Sequence, residues 1–255
     1  MGQTLVALLV ATSTRLAQGL VGEGAVSVAR ARRVAPLCAV APPVQVAAAD
    51  DPLVKLANEF IYEKSGFYSP YAADAFADDF VFRGPVIGPL NKADYLSTMD
   101  TFKVYKAFPD ISPNAFGFAV DPAEPRRVWF LGRNTGTNTG PFGLGYGLEA
   151  PPSGNALIGV PEAFSITFDE TERVKLLTVG HVADRFQGNT GGVGAAFGLL
   201  RVACIPLPGG FLYRAAVALS NRLPGATAKS CSKREEVPAW WLEQSEARGP
   251  DGYNL

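Results

Sequence analysis

The sequence predicts an α+β domain, and three observations carry that expectation. Helical apolar spacing dominates the part of the chain just after residue 50, four β-patterned segments follow in succession, and no helix intervenes among those four. Helices first and adjacent strands afterwards favour an antiparallel sheet over βαβ units.

The first helix is expected over about 52–64. Asp51 is placed to cap it, Pro52 suits its first turn, and Leu53, Leu56, Ala57, Phe60 and Ile61 form one apolar stripe before Gly66 ends it. A short helical turn around Ala72 to Phe76 precedes Asp78-Asp79-Phe80-Val81-Phe82-Arg83, a strand stopped by Gly84-Pro85. Asn91 and Asp94 read as a capping pair for a second helix that carries Tyr95, Leu96, Met99 and Phe102 at helical spacing. Strands are expected near 114–121, 126–137, 155–168 and 173–184, separated by Pro-, Gly- and acid-rich turns. Pro206 to Gly210 reads as a linker, Phe211 to Arg222 as a helix, and the tail as polar except for Val237 to Leu242. That aromatic patch is either a clip onto the domain or a partner contact. The expected organisation is a leader at 1–49, a domain at 50–205 and a C-terminal helix and tail at 206–255, the last dispensable for folding of the core.

Composition bounds the function. With 255 residues, 47% of them hydrophobic and 18% charged, the chain has enough apolar mass for a packed core. A formal charge of -1 leaves no basic surplus for a nucleic-acid partner. The first 49 residues hold Arg15, Arg30, Arg32 and Arg33 against one acid, Glu23, which is the composition of a targeting leader. A plastid address is expected from Val34 to Ala39, with mitochondrion or secretory path as alternatives. The apolar run Leu5 to Ala11 is shorter than the roughly 20 residues that span a bilayer, so no membrane anchor is expected. Cys38, Cys204 and Cys231 lack the spacing of a zinc or redox motif, and no cluster predicts a metal or other cofactor.

The order of these motifs resembles the SnoaL-like polyketide cyclase branch of the nuclear transport factor 2-like superfamily. The resemblance rests on the first helix, the Asp78 to Phe82 strand and the capped second helix. It continues through Phe108-Pro109-Asp110, Trp129 to Thr137 leading to Gly140-Pro141-Phe142, Pro151-Pro152-Ser153-Gly154, Phe164 to Phe168 and Arg173-Val174. It covers roughly 52–186. It implies a curved sheet wrapped by helices into a cone, an apolar cavity inside, and homodimers through the open sheet face. Family members use that cavity for proton-transfer chemistry or only to bind or assemble, so the shape does not fix the activity. Where the branch carries an acid closely followed by Trp on the last strand, this chain reads Leu176-Leu177-Thr178-Val179-Gly180-His181.

Proton-transfer chemistry needs a base beside a carbonyl and a donor for the enolate oxygen. Glu162 is the first candidate, because it shares strand parity with Phe164, Ile166 and Phe168 on the face expected to line the cone. A solvent-exposed rim position after Pro161 is the alternative. His181, the single histidine, and Asp184 are the other catalytic candidates; alternation puts them on opposite faces unless Gly180 marks a bulge. Tyr68, Tyr71, Tyr95, Trp129 and Phe164 are candidate pocket walls, with plain core packing as the alternative. Gly191 to Gly198 is not a nucleotide fingerprint, since no βαβ unit follows it, and Gly140 to Gly147 reads as a flexible loop near the cavity mouth. The chain is therefore expected to bind a small hydrophobic molecule without catalysis, or to act as a subunit. The alternative is a cofactor-free cyclase, isomerase or dehydratase acting on a polyketide- or terpenoid-like molecule.

Overall fold

A computed structural model describes residues 51–145, 147–205 and 229–247. The expected leader, the Pro206 to Gly210 linker and the Phe211 to Arg222 helix lie outside the described residues. Asp51 caps α1 (Pro52–Glu59) by accepting the Leu53 N–H at 2.8 Å, and the helix runs on through a π-helical turn at Phe60–Lys64. Chain order continues with β1 (Phe76–Arg83), β2 (Leu90–Asn91), α2 (Lys92–Phe102) and the single turn α3 (Val104–Ala107). The predicted capping pair is half realised. Asn91 accepts the Asp94 N–H at 2.9 Å, but the Asp94 carboxylate turns elsewhere.

The strands that follow are β3 (Phe116–Val120), β4 (Arg127–Gly132), β5 (Thr135–Thr137), β6 (Phe142–Gly145), β7 (Leu148–Ala150), β8 (Ala156–Ile158), β9 (Glu162–Phe168) and β10 (Val174–Val182). Two predicted long strands are each broken in two: 126–137 becomes β4 and β5, and 155–168 becomes β8 and β9. Gly159 marks the second break, where its N–H donates to the Asn134 carbonyl at 2.7 Å. Two helices close the set, α4 (Ala195–Val202) and α5 (Ala239–Ala247).

Six strands form the main sheet in the order β2-β1-β10-β9-β4-β3. It is α+β as predicted, but β1 runs parallel to β10, so the sheet is mixed and not purely antiparallel. Register shifts interrupt β1, β3 and β10, and such bulges bend a sheet and increase its twist. One face of the sheet is the core. Val128 and Phe130, Phe164, Ile166 and Phe168, and Val174 and Leu177 pack against Phe60, Ile61, Tyr95 and Met99 from the helices. Each fully buried side chain of this size contributes about 1.5–3 kcal/mol of transfer free energy.

A second cluster joins Val104, Phe108, Phe142, Leu157, Leu199 and Val202. It corrects the reading of Gly140 to Gly147 as a flexible mouth loop: Phe142 is 1% exposed, and the β6–β7 hairpin packs on α2 and α3. Its glycines allow close approach. A Cβ at Gly140 would overlap the Lys106 carbonyl, and one at Gly143 the Thr101 carbonyl, both backbone atoms with no flexible end to yield. Gly140→Ala is therefore expected to cost about 2 kcal/mol or more and to lower the thermal midpoint by about 5 °C. A melt that superimposes on wild type would mean that this contact relaxes freely.

The segment 229–247 straps the edge beside β2. Gly88 donates its N–H to the Ser230 carbonyl at 2.7 Å, and Ser232 donates its own to Pro89 at 2.9 Å. Below them Ser232 Oγ donates to Asp94 Oδ2 at 2.6 Å, and Lys229 Nζ lies 2.6 Å from Asp94 Oδ1. Trp240 donates its indole N–H to the Asp79 carbonyl at 3.0 Å while Lys175 sits 4.9 Å over its ring. Of the two readings of the aromatic patch, Trp240 follows the clip.

Candidate functional site

Between the sheet and the helices lies a cavity of about 420 Å³. Its walls are carbon-rich: Phe67, Phe82, Met99, Phe102, Phe164 and Leu177 are representative. Strand alternation explains the β9 contribution, since Phe164 faces inward with Phe130 stacked on it at 5.2 Å. The turn Gly84 to Ile87 and the start of α4, Gly194 to Phe197, complete the lining.

Polar groups enter this cavity as one chain. The Tyr68 hydroxyl donates to Asn134 Oδ1 at 2.6 Å. Asn134 Nδ2 donates onward to Glu162 Oε1 at a longer 3.4 Å, and Glu162 Oε2 accepts the Ala195 N–H at 2.8 Å. Glu162 is 1% exposed, so the inward parity read from the sequence holds and the solvent-exposed rim does not. It sits behind the lining, covered by Asn134 and by Gly194. A Cβ at Gly194 would come within 2.8 Å of the Glu162 carboxyl carbon, so only glycine lets the two approach.

Burial pushes the Glu162 carboxyl up to about 7, against the downward pull of the Ala195 and Asn134 hydrogen bonds. Burial, reinforced by the nearby Glu162 charge, likewise holds the Tyr68 phenol well above its ordinary value. Tyr95 also lines the cavity and is raised by burial, with its hydroxyl donating to the Ser65 carbonyl at 2.8 Å.

The other candidates separate from this centre. A bulge does lie at Gly180, where φ is +80° and the β9–β10 register shifts, yet it leaves His181 opposite Ala163. Pairing parity alone would turn His181 outward with Ala163, yet it lies in the cavity lining, exposed at the rim. Desolvation and then the Arg83 charge lower its pKa. Asp184 lies off the cavity in the following loop, where its carboxylate accepts from the Phe186 N–H at 3.0 Å and Gln187 Nε2 at 2.6 Å. The three predicted catalytic residues therefore do not converge.

Two predicted walls also move away. Trp129 shares parity with Arg127, on the face opposite Val128 and Phe130. It is 37% exposed there, with its N–H on Asp121 Oδ2 at 2.7 Å and Arg127 stacked over the ring at 4.2 Å. The Tyr71 hydroxyl points to Asp100 Oδ2 at 2.8 Å at the surface. Tyr68, Tyr95 and Phe164 keep their places in the wall. Sequence reading missed Asn134 and the Ala195 N–H; the legible trace of both was glycine, at 159 and 194, where the chain passes too close for a side chain.

Among the described residues no three His, Cys, Asp or Glu side chains gather as a metal-ligand set, and no helix is long and apolar enough to cross a membrane. Cys204 and Cys231 are both free thiols.

No family model and no curated protein matches the sequence. Solved structures do. One, assigned provisionally to the SnoaL-like polyketide cyclases of Jannaschia sp., is 18% identical, with 50% of this chain and 83% of that chain covered and a TM-score of 0.39. A phenazine biosynthesis-related protein from Pseudomonas aeruginosa is 15% identical over 61% of this chain and 83% of that chain, with a TM-score of 0.34. A nuclear transport factor 2-like protein from Anabaena variabilis is 16% identical over 54% and 94%, also at 0.34. The α+β element order, the six-stranded sheet and the apolar cavity are features of this chain itself.

Proposed function

We propose that the domain binds a small hydrophobic molecule in this cavity and does so without catalysis. The observation that carries the reading is the cavity itself: about 420 Å³ within an almost entirely carbon wall, inside the range of about 300–1,000 Å³ typical of small-molecule sites. Two features support binding over chemistry: Asp184 lies off the cavity, and His181, at its rim, shares no hydrogen bond with the Tyr68–Asn134–Glu162 chain. Native mass spectrometry of the purified full chain tests this. A small molecule held in a one-to-one complex is expected, and Val179→Trp, which fills the cavity from β10, should release it. An unliganded protein that also takes up no apolar probe would refute the proposal.

One observation favours a second reading, a cofactor-free proton-transfer enzyme. Glu162 titrates near 7 and reaches the cavity through Asn134 and Tyr68, which is how a buried general acid or base is tuned for neutral pH.

A further inference from the structure

Hydrogen-bond direction at the polar end of the cavity narrows the ligand. We propose, building on the reading that the cavity binds a small hydrophobic molecule, that its ligand is a neutral alcohol or phenol whose hydroxyl donates to the Tyr68 oxygen. The direction is set from the far end of the polar chain. Once ionised, above about pH 7, the Glu162 carboxylate only accepts, and Oε2 already takes the Ala195 N–H, so Asn134 turns its amide nitrogen toward Oε1. Its oxygen then faces Tyr68 and takes the single phenolic proton at 2.6 Å. What Tyr68 has left for a ligand is a lone pair.

Neighbouring hydroxyls are spent in the same sense. Ser65 Oγ donates to the Ile61 carbonyl at 3.0 Å, Thr98 Oγ1 to the Asp94 carbonyl at 2.7 Å, and Tyr95 to the Ser65 carbonyl at 2.8 Å. A ketone or carboxylate set against Tyr68 would bring two acceptors together with no proton between them. A carboxylate would also face the Glu162 charge behind Asn134. A hydroxyl pairs with Tyr68 and carries no charge.

The test compares 1-tetralol with 1-tetralone, two bicyclic probes that differ at this one group, titrated calorimetrically into the full chain at pH 8.5, where Glu162 is a carboxylate. The alcohol is expected to bind about five- to tenfold tighter, the worth of one hydrogen bond. Tyr68→Phe should bring the ratio to about one with little change for the ketone. Glu162→Gln should lower or reverse the ratio: the new amide donates to Asn134, Asn134 turns over, and the Tyr68 proton is released to the cavity. A thermal melt of each variant verifies folding, and Glu162→Gln carries the test alone if Tyr68→Phe does not fold. Equal binding of the two probes would overturn this inference and leave the cavity's binding role intact. A preference that persists in Tyr68→Phe would overturn it too. Failure of both probes to bind would remove the inference together with the binding role.

Discussion

Ending the chain at Ala228 is expected to lower the thermal midpoint by about 10 °C. The loss follows from what the strap at 229–247 satisfies. Asp94 is 8% exposed and lies beneath the strap with two partners, the Ser232 hydroxyl and the Lys229 ammonium. Hydrogen bonds to a charged group contribute about 1.5–3 kcal/mol, and the neutral ones from the Gly88 and Asn91 N–H groups and to the Pro89 carbonyl about 1 kcal/mol each. Val237, 5% exposed, and the Trp240 ring add apolar burial. The entropy of ordering the strap offsets part of this, leaving a net of about 4 kcal/mol. At about 2–4 °C per kcal/mol for a domain of this size, that is the stated shift. Circular dichroism melts of the truncated and full chains measure it. An unchanged midpoint would restore the reading of residues 206–255 as dispensable, which the contacts of the strap now oppose.

That reading follows because the strap's local signature is confined to the Val237 to Leu242 patch. The rest of its hold on the domain is backbone pairing beside β2 and one buried carboxylate, and neither alters the polar composition of the tail. Patterns with a short period were legible. The Asp51 cap, the helical stripe of α1 and the inward parity of Glu162 with Phe164, Ile166 and Phe168 all follow from spacings of two to four residues. The same alternation, applied to β4, separates Trp129 and Arg127 from Val128 and Phe130. Aromatic character outweighed parity in naming Trp129 as a wall. Pairings across long separations were not legible. The parallel register of β1 on β10 and the Tyr68–Asn134 bond, 66 residues apart, depend on how the sheet closes. Glycine was the most misread residue type. At Gly140 and Gly143 it marks close backbone approach where the sequence suggests a flexible loop, and at Gly194 close approach of the Glu162 carboxyl.

Glu162→Gln is expected to remove about 3 kcal/mol of pH dependence from folding stability. The ordinary carboxyl value is 4.5 and burial lifts Glu162 to about 7. Between those values the folded chain binds a proton that the unfolded chain has released, so stability is full below pH 4.5 and falls as pH rises to about 7. A gap of that size corresponds to about 3 kcal/mol. It applies with little screening because the residue is 1% exposed. Asp78, Asp110, Asp121, Asp169 and Asp184, all lowered, act in the opposite direction and below this window: their contribution is present above their ordinary value and lost as pH falls. His181, lowered from 6.5, does share the window and opposes Glu162, since stability rises as it gives up its proton. The readout is therefore the difference between wild type and Glu162→Gln, in which His181 cancels. Urea titrations at pH 5 and pH 8 supply it: the variant should gain about 2–3 kcal/mol on wild type between the two. A difference that stays constant with pH would mean that Glu162 ionises as an ordinary surface acid. The buried polar chain would then lose its anchor, and with it the fixed hydrogen-bond direction at Tyr68.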